Sequence, residues 1–260
     1  MFKVCTIASS SKGNCSFITD GETNILIDCG IKINELEQFC LANNITLNDI
    51  TAIVITHEHI DHICGLKSLS KRIEPKVYCH EFIGKHINER LNINLQYNDV
   101  VLDGFSIGEI QIYPFRTSHD AIFPLGYTFV EGDKRVSIAT DLGVVSDNVI
   151  NNLIESDMAI IEANHDRQML IQGVYPTTLK RRVVSELGHL SNDESARLIS
   201  TLSEHKLRKV ILAHLSENNN LPELAYSTVS TYLHRNPKLK NVDIEIEVAP
   251  AKEPCRFLEV

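Results

Sequence analysis

The stretch Thr56-His57-Glu58-His59-Ile60-Asp61-His62 constrains this chain more than any other. It follows the apolar, β-branched run Thr51 to Ile55, which reads as a strand. In an extended chain successive side chains alternate, so His57, His59 and Asp61 project to one side. His62 turns toward a neighbouring point as a helix begins. Four donors then converge on two adjacent places. Imidazole and carboxylate suit divalent cations such as zinc, manganese or iron, and no cysteine interrupts the run to favour a softer metal. Further donors stand at or just past other strand-like runs: His119 in Thr117-Ser118-His119-Asp120, Asp141 in Ala139-Thr140-Asp141-Leu142-Gly143, and His214 in Leu212-Ala213-His214-Leu215.

The rest of the chain supplies an αβ frame. Strands are predicted over Phe2 to Ala8, Asn24 to Ile27, Phe105 to Tyr113, Met158 to Glu162, Lys209 to Ala213 and Asp243 to Val248. A hairpin joins Tyr127 to Val130 and Arg135 to Ala139 through Glu131-Gly132-Asp133-Lys134. Helical patterns cover Asn34 to Leu41, Gly65 to Arg72, Glu81 to Leu91, Thr177 to Leu187 and Glu223 to Leu233, and Ser191-Asn192-Asp193-Glu194 matches a capping box that starts another. No repeat or Pro/Gly/Ser linker divides the chain, so residues 1–260 read as a single α/β domain with mixed sheets and helices outside.

Composition narrows the function classes. The apolar runs are strand-length, far short of the roughly 18 residues of a membrane span. Met1-Phe2-Lys3-Val4-Cys5 enters such a run with no basic leader, and the seven cysteines are scattered and never spaced C-x-x-C; both features point to reduced thiols in the cytoplasm. A net charge of −9 argues against coating nucleic acid through the whole surface. Phosphodiester chemistry stays open, because two divalent cations return about four positive charges where a phosphate must sit.

Asp28 in Leu26-Ile27-Asp28-Cys29-Gly30, the His57 to His62 motif, His119, Asp141 and His214 together resemble the five sequence motifs of the metallo-β-lactamase-fold hydrolases. The resemblance implies an αββα sandwich with a dinuclear metal site at one edge. Carried over by position, His57, His59 and His119 would bind one metal, Asp61, His62 and His214 the second, and Asp141 would bridge. Asp28 would orient a ligand without being one. A finer resemblance is carried by Ser9-Ser10-Ser11-Lys12-Gly13-Asn14-Cys15, Glu162-Ala163-Asn164-His165-Asp166, Gly188-His189-Leu190-Ser191-Asn192 and Ala213-His214-Leu215-Ser216-Glu217-Asn218. These are similar to the WalJ/YycJ group of bacterial exonucleases, which act from the 5′ end, and they echo transfer-RNA 3′-processing endonucleases. The chain lacks the inserted substrate arm of the RNA-processing enzymes.

The mechanism implied is hydrolysis by a metal-bridging hydroxide, with Asp61 orienting it or taking its proton. His189 is the candidate for the leaving 3′ oxygen, with Glu162 holding its imidazole. Expected substrate contacts are Ser11, Lys12 and Asn14 in the first loop, His165, and Arg181 in the basic cluster Lys180-Arg181-Arg182. The expected substrate is nucleic acid, DNA ahead of RNA, in a DNA-repair setting. The alternatives are an RNA-processing nuclease, a thioester or small-ester hydrolase of glyoxalase II type, and a non-catalytic metal-binding module.

Overall fold

The computed structural model describes residues 1–260. One sheet is laid down by β1 (Lys3–Ser10), β2 (Gly13–Thr19), β3 (Asn24–Ile27), β4 (Ala52–Val54), β5 (Val77–Cys79) and β6 (Tyr97–Asp99), adjacent in that order. A second runs from β7 (Phe105–Ile107) through β8 (Ile110–Arg116), β9 (Leu125–Glu131), β10 (Lys134–Ala139), β11 (Met158–Glu162) and β12 (Lys209–Ala213) to β13 (Glu245–Val248). The last strand, β14 (Leu258–Glu259), returns to pair with β1.

Pairing is antiparallel in β1 to β3 and in β7 to β10, and parallel from β3 to β6 and from β10 to β13. Parallel neighbours need crossovers, and helices supply them. These are α1 (Ile33–Ala42), α2 (Ile60–Ile63), α3 (Leu66–Leu69) and α4 (Glu81–Leu91) in the first half, then α5 (Asp147–Leu153), α6 (Arg167–Gln172), α7 (Thr177–Val183), α8 (Asn192–Ser203) and α9 (Pro222–Arg235) in the second.

Alternation along the inner strands separates the two faces of the second sheet. Val136, Ile138, Met158, Ile160, Ile211 and Ala213 join the core shared with the first sheet. Their neighbours Ala139, Ala159, Ile161, Val210 and Leu212 pack instead with Val149, Leu153, Ile199, Leu202 and Val229 from α5, α8 and α9. Strands buried on both faces read as continuous apolar runs, and the result is the expected αββα sandwich. The residues that follow β4, β10, β11 and β12 gather at one edge, where open sheets place their ligands.

Several elements differ from expectation. The Ser9 to Asn14 loop is a tight hairpin in which only Ser11 and Lys12 lie outside β1 and β2, and β2 escapes a sequence reading because Gly13, Asn14, Ser16 and Thr19 break up its apolar residues although nearly all of it is buried. Phe105 to Tyr113 splits into β7 and β8 around Gly108, whose φ of +59° makes the turn. The helix expected over Gly65 to Arg72 shrinks to α3, and that over Thr177 to Leu187 stops at Val183. The strand expected from Thr51 ends at Val54, so Asp61 is not on an extended segment with His57 and His59; it lies in the first turn of α2.

Candidate metal centre and active site

Helical winding at α2 brings Asp61 and His62 to one point while His57 and His59 approach from the extended segment before it. The donor atoms of His57, His59 and His119 lie within 4.8 Å of one another, as do those of Asp61, His62 and His214. Asp141 reaches both groups: one carboxylate oxygen is 3.6 Å from His119 Nε2 and the other 3.5 Å from His62 Nε2. Geometry thus joins every sequence-predicted donor in one cluster.

Four of the imidazoles are held from behind. His62 Nδ1 donates to Asp28 Oδ2 at 2.7 Å, and Asp28 is itself fixed by the Thr56 amide and hydroxyl, both at 2.8 Å. His119 Nδ1 donates to the Gly188 carbonyl at 3.2 Å. His214 Nδ1 and His189 Nδ1 both donate to Glu162 Oε1 at 2.8 Å, while Glu162 Oε2 accepts the amides of Leu142 and Leu190 at 3.0 Å. Glu162 is fully buried, so it serves as a shared anchor for two histidines.

Electrostatics follows from this packing. Burial opposes the charge on Glu162, but the imidazoles of His189 and His214 outweigh it and hold the carboxyl down at about 2. Burial likewise opposes charge on His62, yet Asp28 and Asp141 lift it to about 9. His214 is raised well above its ordinary value against the same penalty, by Asp141, Asp61 and Glu162. Burial pushes His57 and His119 down.

Three buried donors, His57 Nε2, Asp141 Oδ2 and His214 Nε2, have no hydrogen-bond partner in the protein. Unsatisfied buried polar atoms cost about 1–3 kcal/mol each, so such a set calls for something to satisfy it. Mixed imidazole and carboxylate donors fit divalent metal ions. Backbone strain marks the same place. Asp28, Asp141 and His214 adopt left-handed φ of 61°, 57° and 56°, a conformation that costs an ordinary residue about 1–2 kcal/mol and persists where surroundings over-determine it.

Gly30 makes the approach of these segments feasible, since a Cβ there would fall 1.6 Å from the Asp61 carbonyl oxygen. Gly30→Ala is expected to cost about 3 kcal/mol in urea denaturation and to weaken metal uptake, because only backbone movement relieves the clash.

Not every expected substrate contact survives as such. Asn14 is buried, with Nδ2 donating to Asp61 Oδ2 at 3.2 Å and lying 3.1 Å from His62 Nε2, so it braces the donors and does not face solvent. Ser11 is exposed at the hairpin tip, and Lys12 pairs with Glu217, which offsets its charge. His165 is 1% exposed and belongs to a cavity wall. Arg181 is exposed on α7 with no side-chain partner in the protein; the structure brings Arg182 to the site instead, in a two-bond pair with Asp120 at 2.6 and 2.9 Å. Asp120 in turn lies 3.4 Å from His119 Nε2.

Sequence reasoning missed Thr56, Asp120 and a buried amide network. Asn192 and Asn220 exchange hydrogen bonds at 2.9 and 2.8 Å, Asn220 reaches the Ala163 carbonyl at 2.8 Å, and Asn164 holds the His214 carbonyl at 2.9 Å. The run Asn218-Asn219-Asn220 after His214 was the available signal.

Comparison with known proteins agrees with the geometry. Residues 23–215 match the family described as the beta-lactamase superfamily domain. Exodeoxyribonuclease YycJ of Bacillus anthracis is 33% identical over 254 residues, spanning 96% of each chain. Exodeoxyribonuclease WalJ of Streptococcus pneumoniae is 32% identical over 255 residues, covering 94% of this chain and 93% of the relative. Among solved structures, the metallo-beta-lactamase fold protein YhfI from Bacillus subtilis superposes with a TM-score of 0.73 at 17% identity, covering 98% of this chain and 100% of that one. No helix is long and apolar enough to cross a membrane. The chain belongs to the metallo-β-lactamase-fold hydrolases, in the company of the YycJ and WalJ exodeoxyribonucleases, and is a metal-dependent hydrolase.

Proposed function

We propose that residues 1–260 form one phosphodiesterase domain that degrades DNA from the 5′ end in the cytoplasm, in a DNA-repair setting. The relatives that carry the name exodeoxyribonuclease support the substrate class. The observation that carries the reading is the Glu162–His189 pair set against the metal cluster, with His189 Nδ1 3.9 Å from Asp141. A thioester hydrolase has a good leaving group and needs no such proton donor; a phosphodiester releases an alkoxide and does.

In this reading His57, His59 and His119 would hold one ion and Asp61, His62 and His214 the other, with Asp141 within reach of both groups. Zinc or manganese, with iron as a further option, suits the donors. When bound, the ions supply an activated water and charge stabilisation for in-line displacement at phosphorus. The protein's residues do the rest. Asp28 fixes the His62 ring through Nδ1 and leaves Nε2 for coordination. Asp61, whose side chain is 19% exposed, takes the proton of the attacking water, and His189 passes one from Nε2 to the departing 3′ oxygen. Arg182 and Lys12, half or more exposed, would meet the strand backbone only by giving up part of their pairing with Asp120 and Glu217.

Purified protein with manganese, given 5′-labelled DNA, 5′-labelled RNA and a glutathione thioester in parallel, tests the reading. Labelled mononucleotide released first from DNA, and not by His59→Ala, is expected. Turnover of the thioester alone would sink it, and preferred cleavage of RNA would redirect it to RNA processing.

A further inference from the structure

A cavity of about 250 Å³ opens beside His189, walled by Gly143, His165, Arg167, Ile171, Val184 and Glu194. We propose that this cavity receives the nucleobase of the nucleotide whose 3′ oxygen departs, so that the enzyme grips its terminal residue by the base as well as by the phosphate. The inference rests on the nuclease reading above and extends it.

The chemistry of the walls selects the ligand. Arg167 gives Nη2 to Glu194 Oε1 at 2.9 Å and Nε to Ser191 Oγ at 3.2 Å, so its charge is already balanced and the cavity is unsuited to a second phosphate. Ile171 and Val184 present apolar surface, 66% and 61% exposed, that is otherwise left to solvent. His165 forms the floor of the cavity, 1% exposed and kept neutral by its burial, so it adds no charge to the walls. A flat, uncharged ring meets these conditions: apolar faces against the aliphatic walls and a guanidinium plane to stack on, with no charge to be matched. The volume is below the roughly 300 Å³ at which pockets for drug-sized ligands begin, which fits one base and excludes a base pair.

Position fixes which base. In hydrolysis from the 5′ end the bond from phosphorus to the 3′ oxygen of the terminal nucleotide breaks, the water oxygen bonds to phosphorus, and the departing oxygen takes a proton. His189 stands between the cavity and the metal donors and gives that proton. The base attached to the same sugar therefore falls within reach of the cavity.

The test compares single-turnover removal of the first nucleotide from three DNA strands: intact, abasic at the first nucleotide, and abasic at the fourth. The wild-type protein is expected to cut the first-position abasic strand about tenfold to a hundredfold more slowly than the intact one and the fourth-position strand at the intact rate. Ile171→Trp, which fills the cavity from an exposed position and is checked for an unchanged unfolding midpoint, is expected to bring the intact-to-abasic ratio close to one. Without metal, in EDTA, 2-aminopurine at the first nucleotide should change fluorescence on binding wild type and not Ile171→Trp. Intact and first-position abasic strands cut at equal rates, or an abasic penalty undiminished in Ile171→Trp, would overturn the base pocket while leaving the nuclease standing. Failure to shorten any strand or to hydrolyse bis(p-nitrophenyl) phosphate would overturn the nuclease reading, and the pocket with it.

Discussion

Loading metal-free protein with zinc or manganese at about a hundred times the dissociation constant is expected to raise its unfolding midpoint by about 5–10 °C for each ion bound. The cause is the cluster itself. His57 Nε2, Asp141 Oδ2 and His214 Nε2 are buried without protein partners, and ions that bind only the folded chain relieve them. The two donor groups should differ in their response to pH. Burial lowers His57 and His119, so those rings carry no proton to displace near neutrality. His62, held up at about 9 by Asp28 and Asp141 against its burial, and His214, raised likewise, are protonated there and must lose a proton to coordinate. Affinity of the Asp61, His62 and His214 group should therefore climb from pH 6.5 to pH 9, by up to about tenfold per pH unit for each proton released, while the other group changes little.

The sign for the metal-free fold runs the opposite way. The raised His62 contributes stability fully present below about 6.5 and lost as pH rises through about 9, whereas depressed Glu162 contributes stability present above about 4.5 and lost as pH falls toward 2. Equilibrium dialysis with elemental analysis at pH 6.5 and 8.5 checks the loading, and titration in buffers of different ionisation enthalpy counts the protons. Equal pH dependence of both groups, or a midpoint unmoved by metal, would contradict the assignment of donors.

The donors were legible in sequence because chemistry concentrates them: the run from His57 to His62 packs four into six positions, and His119, Asp141 and His214 each sit close behind a strand that reads clearly. Inner strands such as β11 and β12 were equally plain, since burial on both faces makes them uniformly apolar. The short strands β5, β6 and β14, at or next to the sheet margins, carry too few residues to show a period. Asn14 and Arg182 illustrate a different limit. Both stand in polar or basic stretches plain in the sequence, but their partners Asp61 and Asp120 lie 47 and 62 residues away, and only the packed sheets bring each pair together. Local spacing can nominate a ligand; it cannot show which neighbour of a basic cluster turns inward.

Replacing His189 with alanine is expected to lower kcat on DNA by about 10²–10⁴-fold with little change in metal content. His189 Nδ1 is committed to Glu162, so Nε2 is the nitrogen left for substrate, and with 15% of its side chain exposed the ring can be reached. A proton donor matters in proportion to how poorly the leaving group departs without one. The same variant should therefore hydrolyse bis(p-nitrophenyl) phosphate, whose leaving phenolate needs no proton, at close to the wild-type rate. Equal losses on both substrates would reduce His189 to a structural role. Glu162→Gln separates the anchor from the acid. It removes the charge that orients both His189 and His214, so it should combine the His189 defect on DNA with a loss of about 10–100-fold in affinity at the Asp61, His62 and His214 group. Activity with bis(p-nitrophenyl) phosphate would then fall as well, and excess metal would restore it without restoring cleavage of DNA. That split follows from one carboxylate oxygen accepting from two imidazoles at 2.8 Å, one beside the proposed metal donors and one beside the departing oxygen.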